Sequence, residues 1–186
     1  MEYYYPENEI LKKIVRYISF YYSDVPSKEY LVFPNHGAGM VLCRNLEFSP
    51  LEGNTYLSKE TPGQYINTLH INRIDPVKMI EQGKQEKITI VFEPLGINRF
   101  IHEPLCEFVT EAEHKYVSLE QTARFLKFAE KVFACNTPIE KVQFIETYLL
   151  ERFTNTQFPF VEDALKMLME PGETYTVATI SKQVYT

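Results

Sequence analysis

The feature that most constrains this chain is a change of hydrophobic pattern near residue 117. Upstream, short apolar runs alternate with turn residues; downstream, apolar residues recur at helical spacing. A chain divided in this way is expected to fold as α+β, with strands first and helices after them. The upstream runs are Tyr30–Phe33, closing on the turn cluster Pro34-Asn35-His36-Gly37, then Met40–Cys43, Leu46–Phe48, Gln64–Ile74, and Lys87–Phe92, which stops at Glu93-Pro94-Leu95-Gly96. Within Gln64–Ile74, alternation places Tyr65, Asn67, Leu69, Ile71 and Arg73 on one face and Ile66, Thr68, His70 and Ile74 on the other, so both faces are expected to be covered. Lys87–Phe92 reads most clearly as a strand, with Ile88, Ile90 and Phe92 opposite Thr89 and Val91. Residues 8–22 fit either period and predict a short helix running into a strand. Short strands separated by turns predict a small β-barrel or a curved antiparallel sheet.

Downstream, two capping boxes mark helix starts. In Ser118-Leu119-Glu120-Gln121 and Thr137-Pro138-Ile139-Glu140 a hydroxyl oxygen can accept from the amide three residues on, while the Gln or Glu side chain reaches back. Pro138 stands at the first helical position, where its missing N–H costs nothing. Leu126, Ala129 and Phe133 on the first helix and Val142, Ile145, Leu149 and Phe153 on the second make apolar faces of a helical hairpin. Of these, Leu126, Phe133, Val142, Ile145 and Leu149 are the candidate dimerisation residues. A polar linker, Thr154–Pro159, precedes a short helix over Val161–Met169 with Ala164, Leu165 and Leu168 inward. Glu170-Pro171-Gly172 stops that helix, and Thr176 starts another carrying Val177, Ile180 and Val184. The expected division is a β-rich domain over 1–117, a helical hairpin over 118–154 and a further helical segment over 160–186.

Composition narrows the function. The 186 residues suit one average domain, large enough to bury a core without disulfides or metal. A net charge of −6 argues against a protein that coats nucleic acid. Three cysteines without CxxC spacing argue against a disulfide framework and point to the cytoplasm. No apolar run approaches 18 residues and the N-terminus is polar, so neither a membrane helix nor a secretory signal is expected. Thirteen Tyr and thirteen Phe suit strand packing, or an aromatic-lined cavity for a small molecule.

Catalytic chemistry finds little support. His36, His70, His102 and His114 are isolated, whereas a cupin-type metal site needs histidines and a carboxylate at close spacing. His102 beside Glu103 would point to the opposite face of a strand. No GxSxG, Walker or GxGxxG motif is present, and the cysteines read as inert thiols. No catalytic residue, metal or cofactor is assigned, and the chain is not expected to be an enzyme. Ligand sensing asks only for an apolar concavity with a few polar groups. Its candidates are Phe33, Tyr65, Asn67, Leu69, His70, Arg73 and Phe92.

The C-terminal pattern resembles the first helix-turn-helix of AraC-type transcription regulators: a helix, Gly172, then a Thr-capped helix with Val177, Ile180, small Ser181 and Val184. The upstream part is similar to the sensor domains of one AraC-like group. The shared features are the aromatic-rich Leu11–Tyr22, the strand and Pro turn of Leu31–Gly37, Phe-x-Pro-x-Gly at Phe92–Gly96 followed by Ile97–Ile101, and the helix around Glu146–Arg152. The resemblance implies an effector-sensing and dimerisation part of a transcription regulator, with a cupin-like barrel as sensor, an unidentified small-molecule effector and a homodimer as the working form. It also implies that the motif breaks off within 160–186, before the helix that enters the major groove. Residues 160–186 hold two basic and four acidic residues, so this polypeptide alone is not expected to bind DNA. The rival expectations are a cupin-like small-molecule enzyme and a plain protein-interaction domain.

Overall fold

The computed structural model describes residues 1–33, 37–70, 75–101, 117–118, 123–156, 158–169, 175–176 and 179–180, of which 117–118 and 123–126 are described by their backbone alone. Strands β1 (Glu2–Tyr4), β2 (Val15–Val32), β3 (Gly39–Pro50), β4 (Thr55–His70), β5 (Val77–Phe92) and β6 (Val117–Ser118) precede helices α1 (Ala123–Ala134), α2 (Pro138–Arg152) and α3 (Pro159–Met169). The α+β expectation holds.

The strands form one sheet in the order β1-β2-β5-β3-β4-β6. Pairing is antiparallel except where Thr55–Lys59 of β4 runs parallel to Lys78–Gln82 of β5. β1 and β6 end that order and do not pair with each other among the described residues. Of the two expected architectures the fold is therefore the open sheet, and the closed barrel is corrected.

The strands run well past their apolar runs. Tyr30 to Val32 end the 18-residue β2, while Met40–Cys43 and Leu46–Phe48 belong to one β3. Lys87–Phe92 is the final part of the 16-residue β5. Two irregularities absorb the residues that look like breaks. Pro26, which has no N–H to give a ladder, sits in the register shift between Val25 and Ser27. Asn45, at φ 57°, sits in the shift between Arg44 and Leu46. Pro26 is one residue more than β5 has there, whereas at Asn45 the excess lies on β4, whose residues 61–64 stand opposite it; at both places the strand carrying the named residue reverses its alternation. Tyr17, Ser19 and Tyr21 therefore share a face with Tyr30, and Val41 and Cys43 share one with Leu46 and Phe48. Opposite Val25, Gly83 adopts φ +76°, and a Cβ there would lie 2.6 Å from a Glu60 carboxylate oxygen.

One face of the sheet carries the main core. Ile18, Met40, Leu42, Leu69, Ile88, Ile90 and Phe92 pack with Phe128, Ala129, Val132 and Phe133 of α1 and Ile145 and Leu149 of α2. Leu11 and Ile97, from 3-10 turns, close its end. The turn at Leu11–Lys13 leading into β2 matches the expected helix-to-strand passage. Each such side chain stabilises the fold by about 1.5–3 kcal/mol, so sheet and hairpin share a single core within the compact unit Met1–Phe153. The expected cap of α2 is present: Thr137 Oγ1 accepts from the Glu140 N–H at 3.2 Å, and Glu140 Oε2 accepts from the Thr137 N–H at 3.2 Å. The box expected at Ser118 begins on β6, and its remainder lies outside the described residues.

Thr154–Thr186 form a second compact unit. In α3, Ala164 and Leu165 are half-buried, but Leu168, expected inward, is exposed. No described side chain of α3 is fully buried. An amphipathic pattern needs an opposing layer to become a core, and the described part of this unit has none over Leu168. Thr176 starts the next turn as expected: its Oγ1 accepts from the Thr179 N–H at 3.2 Å. Val177, Ser181 and Val184 lie outside the described residues. No helix among the described residues is long and apolar enough to cross a membrane.

Candidate functional site

The register of the long strands builds a site on the sheet face opposite the helices. Three transverse rows cross β2, β5, β3 and β4: Tyr17, Val91, Gly39 and His70; then Ser19, Thr89, Val41 and Thr68; then Tyr21, Lys87, Cys43 and Ile66. Gly39 contributes no side chain to the first row, and above it opens a cleft of about 240 Å³. Tyr17, Tyr30, Phe48, His70, Met79 and Lys87 line it together with Val41, Thr89 and Val91.

At the end occupied by Lys87 lies a buried ionic cluster. Glu81 is fully buried, and Lys87 Nζ donates to its Oε1 at 2.6 Å. The Tyr30 hydroxyl donates to the same oxygen at 2.8 Å and the Tyr21 hydroxyl to Oε2 at 2.7 Å. The ammonium also lies 5.3 Å from the Phe48 ring centre and 5.8 Å from that of Tyr21, within cation–π range. Beside it, buried Ser58 donates to Gln85 Oε1 at 2.7 Å, and Gln85 donates to the Gln82 carbonyl at 3.2 Å.

Electrostatics follow from this packing. Burial by itself would push the Glu81 carboxyl up, but the Lys87 charge and hydrogen bonds from Lys87, Tyr21 and Tyr30 outweigh it and hold the carboxyl below its ordinary value. Burial raises the Tyr21 hydroxyl, and donation to Glu81 adds to the rise. The Cys43 thiol, buried in the same row as Lys87, is pushed up to about 12 by burial, against the pull of the Lys87 charge. It is not a nucleophile at neutral pH. The ion pair is internally balanced, and an ammonium carries three donors of which Glu81 takes one. Apolar walls with a donor-bearing end suit the binding of a small molecule with an apolar body and an acceptor. Among the described residues no three histidine, cysteine, aspartate or glutamate side chains are grouped to hold a metal ion.

The residues expected to bind ligand do not gather in this cleft. His70 lines it, with Nε2 2.9 Å from Thr68 Oγ1. Leu69 and Phe92 are fully buried in the core under the helices, and Tyr65 packs against that core with its ring 6.0 Å from Phe133. Asn67, also fully buried, pairs with Leu42 on the same side. Phe33 is 65% exposed at the end of β2. Arg73, Ile71, His36, His102 and His114 lie outside the described residues. Both faces of Tyr65–His70 are covered in part, as alternation predicts, but of the ligand candidates there Tyr65, Asn67 and Leu69 lie on the face that the helices occupy and His70 on the other. Of the candidate dimerisation residues, Phe133, Ile145 and Leu149 are buried in the chain's own core and Val142 packs against it. The side chain of Leu126 lies outside the described residues.

Lys87, Glu81, Tyr17 and Phe48 are absent from the expected site. A signal for them exists: Val77, Met79, Glu81, Gln85, Lys87, Thr89 and Val91 all fall at even spacing on β5. Charge and Gly83 interrupt that pattern, so Val77–Glu86 does not read as a strand from its apolar content alone. No family model matches the chain, and neither a curated protein nor a solved structure does.

Proposed function

We propose that this chain is the effector-sensing part of an AraC-like transcription regulator, and that the effector occupies the cleft above Gly39. The observation that carries the sensing half is the cleft itself, walled by aromatic and aliphatic side chains and ended by the Lys87–Glu81 pair. The regulator half rests on the sequence pattern over 161–186 and on the shared core of sheet and hairpin. The working form is a cytoplasmic homodimer.

The mechanism is a shift of population between two packings of the hairpin. Lys87 touches the cleft, and Glu86, next on β5, accepts from Arg44 Nε at 2.8 Å and from Lys141 Nζ of α2 at 3.5 Å. Arg44 and Lys141 also lie 5.5 and 5.4 Å from the Phe133 ring of α1. An effector that draws Lys87 toward itself displaces β5 and therefore the anchor of both helices.

The test is a thermal-shift screen with fractionated metabolite pools. A ligand at 100 times its dissociation constant stabilises by about 2.7 kcal/mol. Gly39→Leu should abolish the response: a Cβ there meets Thr89 and Ile90 at 3.9–4.0 Å without a clash, and the rest of the side chain fills the cleft. No pool shifting the melting temperature, or a shift equal in Gly39→Leu, overturns the sensing reading. A strictly monomeric mass by light scattering at high concentration overturns the dimer.

A further inference from the structure

We infer that the groove between α1 and α2 binds a phosphate dianion, at a site separate from the cleft. The groove has a volume of about 360 Å³ and gathers Lys127, Lys131 and Arg152 against a single carboxylate, Glu151. In a chain of net charge −6 this is a local cationic excess. It arises from helical spacing: Lys127 and Lys131 are one turn apart on α1, and Tyr148 and Arg152 are one turn apart on α2.

The ordinary fate of such side chains is an ion pair, and none of these three cations has one among the described residues. Arg152 instead lies 4.4 Å over the Tyr148 ring, which stacks on Phe128 at 3.8 Å and 15°. Arg152 Nε and the Tyr148 hydroxyl are both shut off from solvent without a hydrogen-bond partner. Buried donors left unsatisfied are rare and costly, and two of them here border one groove. An oxyanion supplies the missing acceptors. Three cations against one carboxylate match a doubly charged group, and the guanidinium fork suits phosphate geometry. Free phosphate and a phosphate monoester share this chemistry; Phe144 and Tyr148 give the ester an apolar wall.

The experiment titrates inorganic phosphate, and separately phenyl phosphate, into the 186-residue chain at constant ionic strength held with sodium chloride, reading amide shifts by NMR. Saturable shifts at Lys131, Thr147 and Arg152 are expected, with at least a tenfold weaker response in K127Q/K131Q. Both lysines are exposed, so that variant keeps its fold. Tighter binding of phenyl phosphate identifies an ester as the ligand; equal affinity identifies free phosphate. Gly39→Leu should leave the titration unchanged, which separates this site from the cleft. Non-saturable shifts, shifts matched by chloride, or an unchanged response in K127Q/K131Q overturn the inference.

Discussion

Glu86 and Lys87 are neighbours on β5 that face opposite ways. Glu86 holds Arg44 and Lys141 on the helix side, while Lys87 holds Glu81 on the cleft side. Alternation along a strand makes this automatic. Two charged residues in succession thus tie the hairpin and the cleft to one point of the backbone.

The Lys87–Glu81 pair should behave as a buried ion pair. Glu81→Gln leaves a buried ammonium unbalanced and should cost about 3–5 kcal/mol. Adding Lys87→Met removes the orphaned charge and should recover most of that loss. Urea denaturation of the wild type, both single variants and the double variant measures the coupling. Additive losses would show that the two residues do not depend on each other.

The depressed Glu81 carboxyl sets a direction for pH dependence. The unfolded chain takes up this proton more readily than the folded one. The contribution to stability is therefore complete above the ordinary carboxylate value of about 4.3 and is lost as pH falls through the lower folded-state value. Urea midpoints between pH 7 and pH 3 should fall less steeply for Glu81→Gln/Lys87→Met than for the wild type. Identical slopes would remove Glu81 from the acid response.

Pro26 should matter little for the pairing of β2. Val25 and Ser27 pair with consecutive residues of β5, Gly83 and Gln82, so deleting Pro26 closes the bulge, keeps both pairs and leaves Tyr30 on the face of Glu81. Pro26→Ala keeps the bulge and should stay within about 1 kcal/mol of the wild type. Calorimetry of the substitution checks this, and a larger loss would give the proline ring a role of its own.

Cys43 should resist alkylation in the folded chain. With its thiol pushed up to about 12 and its side chain buried, it has almost no thiolate at pH 8. Cys135 is half-buried at the turn between α1 and α2 and should react before Cys43. Iodoacetamide labelling mapped by mass spectrometry reads each site. Equal labelling of Cys43 and Cys135 without denaturant would contradict the burial.

Removing the Thr137 hydroxyl by Thr137→Ala should cost about 1 kcal/mol, since the Glu140 N–H loses its partner. A lowered melting temperature with an unchanged circular dichroism spectrum is the expected result.

Local rules alone determined several features of this protein. The change from strands to helices, the Thr137 cap, the alternation of Ile88, Ile90 and Phe92 and the two-sided burial of Tyr65–His70 each depend on contacts between residues a few positions apart. Only the tertiary structure decided which face became the cleft. Residues Tyr65, Asn67 and Leu69 differ little in pattern from Ile66, Thr68 and His70, and the helices happen to cover the first set. The bulges at Pro26 and Asn45 determine which tyrosines and aromatics turn inward beyond them, and a bulge is a relation between two strands, not a property of one. The same holds for Val77–Glu86: its charged residues read as solvent-facing until Tyr21, Tyr30 and Lys87 supply, from positions 6 to 60 residues away, the partners that let Glu81 be buried.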